Sequence, residues 1–378
     1  MTSTNTVVVG ASAAGLATAA CLSRAGVEHV VLEQQAQVAD AWRHHYDRLH
    51  LHTIRGLSGL PYRPMPKTYP KYPSRDQVVA YLEDYARTFS IAPKFGQRVS
   101  SIRPDGDGWV TETEQTERIV SRNVVIATGY TRVPHEATWP GREQYRGEVV
   151  HSSRYGNGHR FRDKPVLVVG FGNSGGEIAI DLHECGAKPT LAVRSPVNVV
   201  PRDLLGLPIL AIGIAMTTLP ARVADVLAAP LVRASLGDIR EIGLRRLPYG
   251  PNVQIREHGR IPLLDIGTID LARRGHIRIA PGIARFTPTG VEFEDGTRAD
   301  FDGVVLATGY RPRLADFLEV ADRVTDEEGV PEKSGHMTLP GLFFCGFYVS
   351  PTGMLREIGI EAKRIAASIA SGIKASTK

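Results

Sequence analysis

Two glycine-rich stretches define the chemistry open to this chain. Gly10-Ala11-Ser12-Ala13-Ala14-Gly15 and Gly170-Phe171-Gly172-Asn173-Ser174-Gly175 each follow a short apolar run, Thr6 to Val9 and Pro165 to Val169, and each opens a stretch of small residues. Glycines at this spacing bind phosphate. The first permits a sharp strand-to-helix turn, the second lets backbone approach a pyrophosphate, and the third lets the helix pack on the strand. The anion then rests on the free N–H groups of the helix N-terminus, where the dipole favours negative charge. Two such loops imply two dinucleotides bound face to face, with electrons passing between them. Ser12 stands where the middle glycine of the first loop is expected, so its Cβ crowds the pyrophosphate while its hydroxyl can donate to it.

The strand ends that follow distinguish the two loops. His29-Val30-Val31-Leu32 ends in Glu33-Gln34, and an acid at that offset binds a ribose hydroxyl pair. Pro189 to Val193 ends in Arg194-Ser195, and a cation there suits a 2′-phosphate. The pair reads as one FAD site and one NADPH site; either residue alone would read equally well as a solvated strand end.

These loops need strands and helices to position them. Val7-Val8-Val9 is apolar without alternation, as in a parallel strand covered on both faces, and Gly26 closes the first helix. Asn123 to Tyr130 recurs as Gly303 to Tyr310, each a buried strand ending in Ala-Thr-Gly (Ala127-Thr128-Gly129 and Ala307-Thr308-Gly309) beside a bound nucleotide. The spacing predicts a helix over Asp76 to Phe89 capped by Ser74, and meander strands at Arg98 to Ile102, Trp109 to Glu114 and Gly290 to Arg298. A last strand is expected at Gly341 to Phe347, and a final helix over about Gly353 to Ile373, with the stripe Ile358, Ala362, Ile365 and Ile369. The fold class is therefore α/β, with two Rossmann-like dinucleotide-binding domains of the glutathione-reductase-like kind and the NADP domain inserted in the FAD domain. The expected bounds are 1–158 with 302–378 for FAD and 159–301 for NADP, the latter carrying an apolar helical insertion at 201–248. Leu204 to Leu219 is broken by Gly206, Pro208 and Gly213 and falls short of the about 20 residues of a membrane span. A helical pair lining an apolar substrate entrance is the first reading of this segment, and contact of 204–236 with a membrane surface the second.

The chain's 378 residues allow two domains with substantial cores. Its 45 basic residues are scattered, so the net charge of +5 does not read as a nucleic-acid track. Cys21, Cys185 and Cys345 lie far apart, with no Cys-x-x-Cys, which removes a dithiol relay and a structural zinc and suits a reducing cytosol. No Lys or Arg precedes the apolar run at Val7, so a cytoplasmic protein is expected. His44, His45, His50 and His52 lack the cysteine or spaced acidic partners of a metal site. There is no Ser-His-Asp order and no paired catalytic carboxylates, so no catalytic side chain is assigned.

Tyr145-Arg146-Gly147-Glu148-Val149-Val150-His151-Ser152-Ser153-Arg154-Tyr155 resembles the identifying motif of class B flavin-dependent monooxygenases, with Tyr for the leading Phe. Tyr155-Gly156 departs from the Baeyer–Villiger ending, which points to the flavin-containing monooxygenase branch. Trp42, Tyr46 to Leu51, Tyr72-Pro73-Ser74 and Pro262 to Thr268 are most similar to the YUCCA-type members that convert indole-3-pyruvate to an auxin. The resemblance spans nearly the whole chain. It implies FAD and NADPH as cofactors, and O2 with a small organic substrate as partners. The reduced flavin would form a peroxide adduct that oxygenates a 2-oxo acid such as indole-3-pyruvate, or a soft nitrogen or sulfur. The protein would supply position and a dry pocket.

The loops and the resemblance together place FAD on Gly10, Ser12, Ala13, Ala14, Gly15, Glu33, Gln34, Trp42, Arg43, His52, Thr53, Val99, Ala127, Thr128, Gly129, Gly346 and Leu355. They place NADP on Gly170, Gly172, Asn173, Ser174, Gly175, Arg194, Ser195, Ala307, Thr308 and Gly309. Thr53 stands near the position of an Asn that faces the flavin in other branches, so that role does not carry over. His151 is expected to support the hinge beside NADP rather than to move a proton. Arg55, Arg63, Lys67 and Arg75 are sequence-proximal candidates for a substrate carboxylate. The competing readings are an NADPH oxidoreductase or oxidase without substrate oxygenation and a flavin-binding redox sensor. No nucleic acid is expected; a homodimer is the assembly left open.

Overall fold

In the computed structural model, residues 2–216 and 218–376 are described, so Met1, Thr217 of the apolar stretch, Thr377 and Lys378 lie outside the described residues. The chain forms two compact units, Met1–Arg43 with Thr53–Val133 and Tyr310–Lys378, and His44–His52 with Pro134–Gly309. The chain therefore crosses between units at 43/44, 52/53, 133/134 and 309/310, not at 158/159 and 301/302. The reason is pairing: Glu148–His151 lies in register with Gly303–Leu306, and both belong to the second sheet.

In the first unit, Thr2–Val9 runs parallel between His29–Leu32 and Arg118–Ile126, and Leu342–Phe344 pairs parallel with the far side of Arg118–Ile126. Val7 and Val8 are fully buried, the signature of a strand covered on both faces. The first strand begins earlier than its apolar run because Thr2 to Thr4 also pair, with Ile119 to Ser121. A hairpin of Val99–Asp105 and Gly108–Thr113 turns on Gly106-Asp107 and joins the sheet edge-on. The first helix, Ala13–Arg24, ends as expected, with Gly26 at φ 70°. Arg75–Thr88 begins in a capping box: Gln77 N–H donates to Ser74 Oγ at 3.3 Å and Ser74 N–H to Gln77 Oε1 at 3.0 Å. The last strand is shorter than Gly341 to Phe347, and the final helix runs Met354–Ser376 with Ile358, Ala362, Ile365 and Ile369 buried.

The second unit holds an all-parallel sheet in the order Arg278–Ala280, Lys188–Ala192, Pro165–Val169, Gly303–Leu306, Glu148–His151. Helix Asn173–Glu184 packs on it through Ile178, Ala179 and Leu182. A three-stranded meander (Ile283–Phe286, Gly290–Phe293, Arg298–Asp300) closes one side.

The 201–248 insertion starts not as a helix but as a hairpin, Asp203–Leu204 against Leu207–Pro208, because Gly206 and Pro208 interrupt the apolar run. Its helical pair is Ile209–Ala215 and Ala221–Leu236, the second containing Pro230. Buried Asp225 accepts from Asn252 N–H at 2.8 Å and Val253 N–H at 3.0 Å, capping the next helix, Pro251–His258. Leu205, Leu207, Val223, Val226, Leu227 and Leu231 are exposed. No helix among the described residues is long and apolar enough to cross a membrane.

Candidate dinucleotide sites

In the first unit, Gly10 lies at φ +110°, and a Cβ there would sit 2.8 Å from the Ala127 carbonyl oxygen. The turn thus presses directly on the Ala127-Thr128-Gly129 strand end. A Cβ on Gly15 would overlap the Gly10 carbonyl, so the helix is seated on its own loop. Ser12 is the N-cap, extended, and its side chain makes no cap hydrogen bond; the first turn contains no acid. Its hydroxyl and the N–H groups of Ala13, Ala14 and Gly15 are thereby open to an anion. Glu33 Oε2 accepts from Ala11 N–H at 2.7 Å and Oε1 from Gln35 N–H at 2.9 Å, which fixes the carboxylate against the loop with lone pairs left for a ribose.

Gly346 closes the far side. A Cβ there would lie 3.0 Å from Ala14 Cβ, and its N–H donates to buried Glu361 Oε2 at 2.6 Å. Burial pushes the Glu361 carboxyl above its ordinary range, and the Gly346 N–H pulls it back. Thr128 Oγ1 and Arg43 Nε are buried without hydrogen-bond partners, two orphans that a bound FAD would satisfy. Arg43 is tethered to Glu83. Thr53 Oγ1 bonds Ser58 Oγ at 2.6 Å and packs where a Gly353 side chain would stand. Val99 and Leu355 are buried, while Gln34 is exposed beside Glu33.

The second unit repeats the geometry. Gly170 lies at φ +112°, and a Cβ would sit 2.5 Å from the Ala307 carbonyl oxygen. The open space in front of Gly172, the N-cap, and the absence of an acid in the first turn leave that helix end free for a pyrophosphate. Asn173 Oδ1 accepts from Leu264 N–H at 2.8 Å, tying the loop to the Pro262–Thr268 stretch. Arg194 and Ser195 are exposed at the end of strand Lys188–Ala192, as a 2′-phosphate site requires. Thr308 Oγ1 donates to the His135 carbonyl. The residues present therefore fit one dinucleotide in each unit.

His151 is buried within the resemblance motif. Ser153 N–H donates to its Nδ1 at 3.1 Å, which leaves Nε2 to donate to the Gly309 carbonyl at 3.1 Å. Burial holds its pKa below the usual histidine value, so the ring is a neutral strut under Gly309. Tyr155, which ends the motif, donates to Asp181 Oδ2 at 2.6 Å. Burial raises the Asp181 carboxyl, and the Tyr155 and Gly158 donors lower it again.

His52, placed with FAD by the sequence, falls in the second unit, its Nε2 2.8 Å from Glu177 Oε1. The sequence reading missed Glu177, Asp181 and Glu361. Glu177 and Asp181 stand four apart on the apolar face of Asn173–Glu184, a spacing that offers a signal; Glu361 carries none. Of the four cations offered for a substrate carboxylate, Arg63 pairs with Asp84 and Arg75 with Asp76. Arg55 donates to the Tyr69 carbonyl at 2.9 Å, and Lys67 is exposed.

Comparison with known proteins matches residues 7–202 to the pyridine nucleotide-disulphide oxidoreductase family. Indole-3-pyruvate monooxygenase YUCCA1 of Oryza sativa subsp. japonica is 39% identical over 348 residues, 90% of this chain and 86% of that protein. The probable indole-3-pyruvate monooxygenase YUCCA1 of Arabidopsis thaliana is 38% identical over 90% of this chain and 84% of its own. Among solved structures, a flavin-containing monooxygenase from Stenotrophomonas maltophilia aligns with TM-score 0.74 at 25% identity, over 99% of this chain and all of that one. An open cyclohexanone monooxygenase shares the fold, with TM-score 0.76 at 19% identity over 99% of this chain and 88% of that one.

Proposed function

We propose, for a chain that belongs to the class B flavin monooxygenases within the pyridine nucleotide-disulphide oxidoreductases, a substrate of the aromatic 2-oxo acid kind. The enzyme is an FAD- and NADPH-dependent monooxygenase with O2 as co-substrate. The observation that carries the substrate reading is the shared likeness, at 37–39% identity, to proteins named for indole-3-pyruvate.

FAD reduced by NADPH supplies the electrons that activate O2, one oxygen atom going to substrate and the other leaving as water. The first loop and Glu33 would hold FAD: Ser12 and the helix N-terminus the pyrophosphate, the carboxylate the ribose, Thr128 and Arg43 the polar remainder. The second loop would hold NADPH, with Arg194 and Ser195 on the 2′-phosphate. Arg194 provides a charge-assisted contact that NADH cannot accept. His151, neutral and anchored on both nitrogens, fixes Gly309 without offering a proton to the site. The half-buried helix Ile209–Ala215 and its exposed apolar neighbours would admit an apolar substrate. We place the enzyme in the cytoplasm.

The test is NADPH consumption coupled to product analysis with indole-3-pyruvate, phenylpyruvate, trimethylamine and a thioether. Oxygenated product from the 2-oxo acids alone is expected. Product from the amine or thioether alone would overturn the substrate class, and hydrogen peroxide with every compound would favour an oxidase.

A further inference from the structure

Helix Asn173–Glu184 carries one charge that nucleotide binding does not explain. Glu177 lies one turn in from the N-terminus and is 2% exposed. Both of its oxygens, and both ring nitrogens of His52, are buried without a hydrogen-bond partner. Its Oε1 is nevertheless 2.8 Å from His52 Nε2, close but off the line a hydrogen bond needs. The other charges on this face are committed elsewhere. Asp181 takes the Tyr155 hydroxyl at 2.6 Å, and Glu184 takes Arg48 in two bonds of 2.8 and 2.9 Å. Arg48 feels the field of Glu177, but its guanidinium is bound to Glu184.

A carboxylate near a helix N-terminus is favoured by the dipole. The same N–H groups, in the reading above, must accept a pyrophosphate, and a buried negative charge one turn behind them opposes it. The group set against that carboxylate is the His52 ring, 2.8 Å from Glu177 Oε1.

We infer that His52 and Glu177 are a positioning pair for the nicotinamide dinucleotide: the His52 ring, held 2.8 Å from the buried carboxylate, offsets it, so that the helix end remains an anion site. The inference rests on the second loop being the NADP loop. It gives the segment His44–His52 a function within the second unit. Tyr46 and Leu49 pack it into the core, Asp47 N–H bonds the Gly156 carbonyl at 2.9 Å, and His52 is thereby delivered to the helix.

The experiment is a double-mutant cycle on the FAD-loaded protein, read as the NADP⁺ dissociation constant by calorimetry. Folding of each variant is checked by circular dichroism and flavin content. His52→Gln keeps the size and removes the imidazole from the carboxylate. It should weaken NADP⁺ by about tenfold, because the buried carboxylate then faces the anion site without its partner. Glu177→Gln should bind as tightly as wild type or tighter. The double variant should return to within about threefold of wild type, a rescue that lost packing cannot produce. If His52→Gln fails to fold, His52→Asn takes its place in the cycle. Unchanged binding in the His52 variant, a double variant as weak as the single, or weakening by Glu177→Gln alone would overturn the inference. A wild-type protein that binds no NADP⁺ would remove the assignment of the second loop, and this inference with it.

Discussion

Gly10→Ala and Gly170→Ala test which loop serves which cofactor, and the geometry sets the size of the effect. At Gly10 the added Cβ would stand 2.8 Å from the Ala127 oxygen and 3.1 Å from its carbon; at Gly170 it would stand 2.5 Å and 3.1 Å from the same atoms of Ala307. The neighbours are backbone, pinned by Ala127 N–H to Val9 and Ala307 N–H to Val169, both at 2.9 Å, so they cannot yield as a side chain would. Left-handed strain adds about 1–3 kcal/mol and overpacking about as much again, together about 2–6 kcal/mol. For a unit of this size that lowers Tm by roughly 5–20 °C. Gly26→Ala is the control: its φ is +70° with open space around it, so only the strain remains, about 1–2 kcal/mol. The assay is thermal unfolding together with flavin-to-protein ratio and NADP⁺ binding. Gly10→Ala should lose FAD. Gly170→Ala should stay yellow and lose NADP⁺. Full FAD retention by Gly10→Ala with Tm within about 2 °C of wild type would refute the argument, as would loss of FAD by Gly170→Ala alone.

Arg194→Ala removes the cation offered to the 2′-phosphate. It should weaken NADP⁺ by about tenfold or more while leaving NAD⁺ unchanged, and equal loss for both nucleotides in a titration would count against the role. The Asp181 carboxyl is raised by burial, so the folded chain holds that proton more tightly than the unfolded one. The stabilisation it gives is present below the ordinary value of 3.8 and lost as pH rises through the raised value. Asp181→Asn, which keeps an acceptor for Tyr155, should therefore gain on wild type more at pH 7 than at pH 4 in urea melts; an equal gain at both would be the contrary result. Leu205 sits at φ +50° on the tip of a two-residue hairpin turn and is 90% exposed. Asn accepts that conformation more readily, so Leu205→Asn should add about 1 kcal/mol of stability in the same assay, and a loss would mean that Leu205 makes contacts the fold needs.

What the sequence made legible follows from which constraints are local. Val7-Val8-Val9 and Val166 to Val169 announce covered parallel strands because both faces must be apolar, and Gly10 and Gly170 announce the turns because no Cβ fits beside Ala127 or Ala307. Ser74 and Gln77 announce a helix start at three-residue spacing. The misplaced domain edge has an equally local cause. Glu148–His151 is a sheet-edge strand, too short and too lightly apolar to show which sheet it completes until Gly303–Leu306 lies beside it. The hairpin at 203–208 hid because Leu205 occupies a turn position where Gly or Asn would have signalled it.

The buried polar pairs hid for a different reason. His52 with Glu177, Tyr155 with Asp181 and Gly346 with Glu361 join separate elements, so no spacing rule reaches them. Each sets a carboxyl among apolar neighbours, where burial penalises the charge unless a partner is held in place. Those partners come from segments the glycine loops also need: His52 from the stretch entering the second unit, Tyr155 from the motif that fixes His151, and Gly346 from the loop against Ala14. Glu177 and Asp181 thus tie the helix Asn173–Glu184 to the segments around it, and Glu361 ties the final helix to the loop at Gly346; a substitution at one of them should be felt first in cofactor affinity and only then in stability.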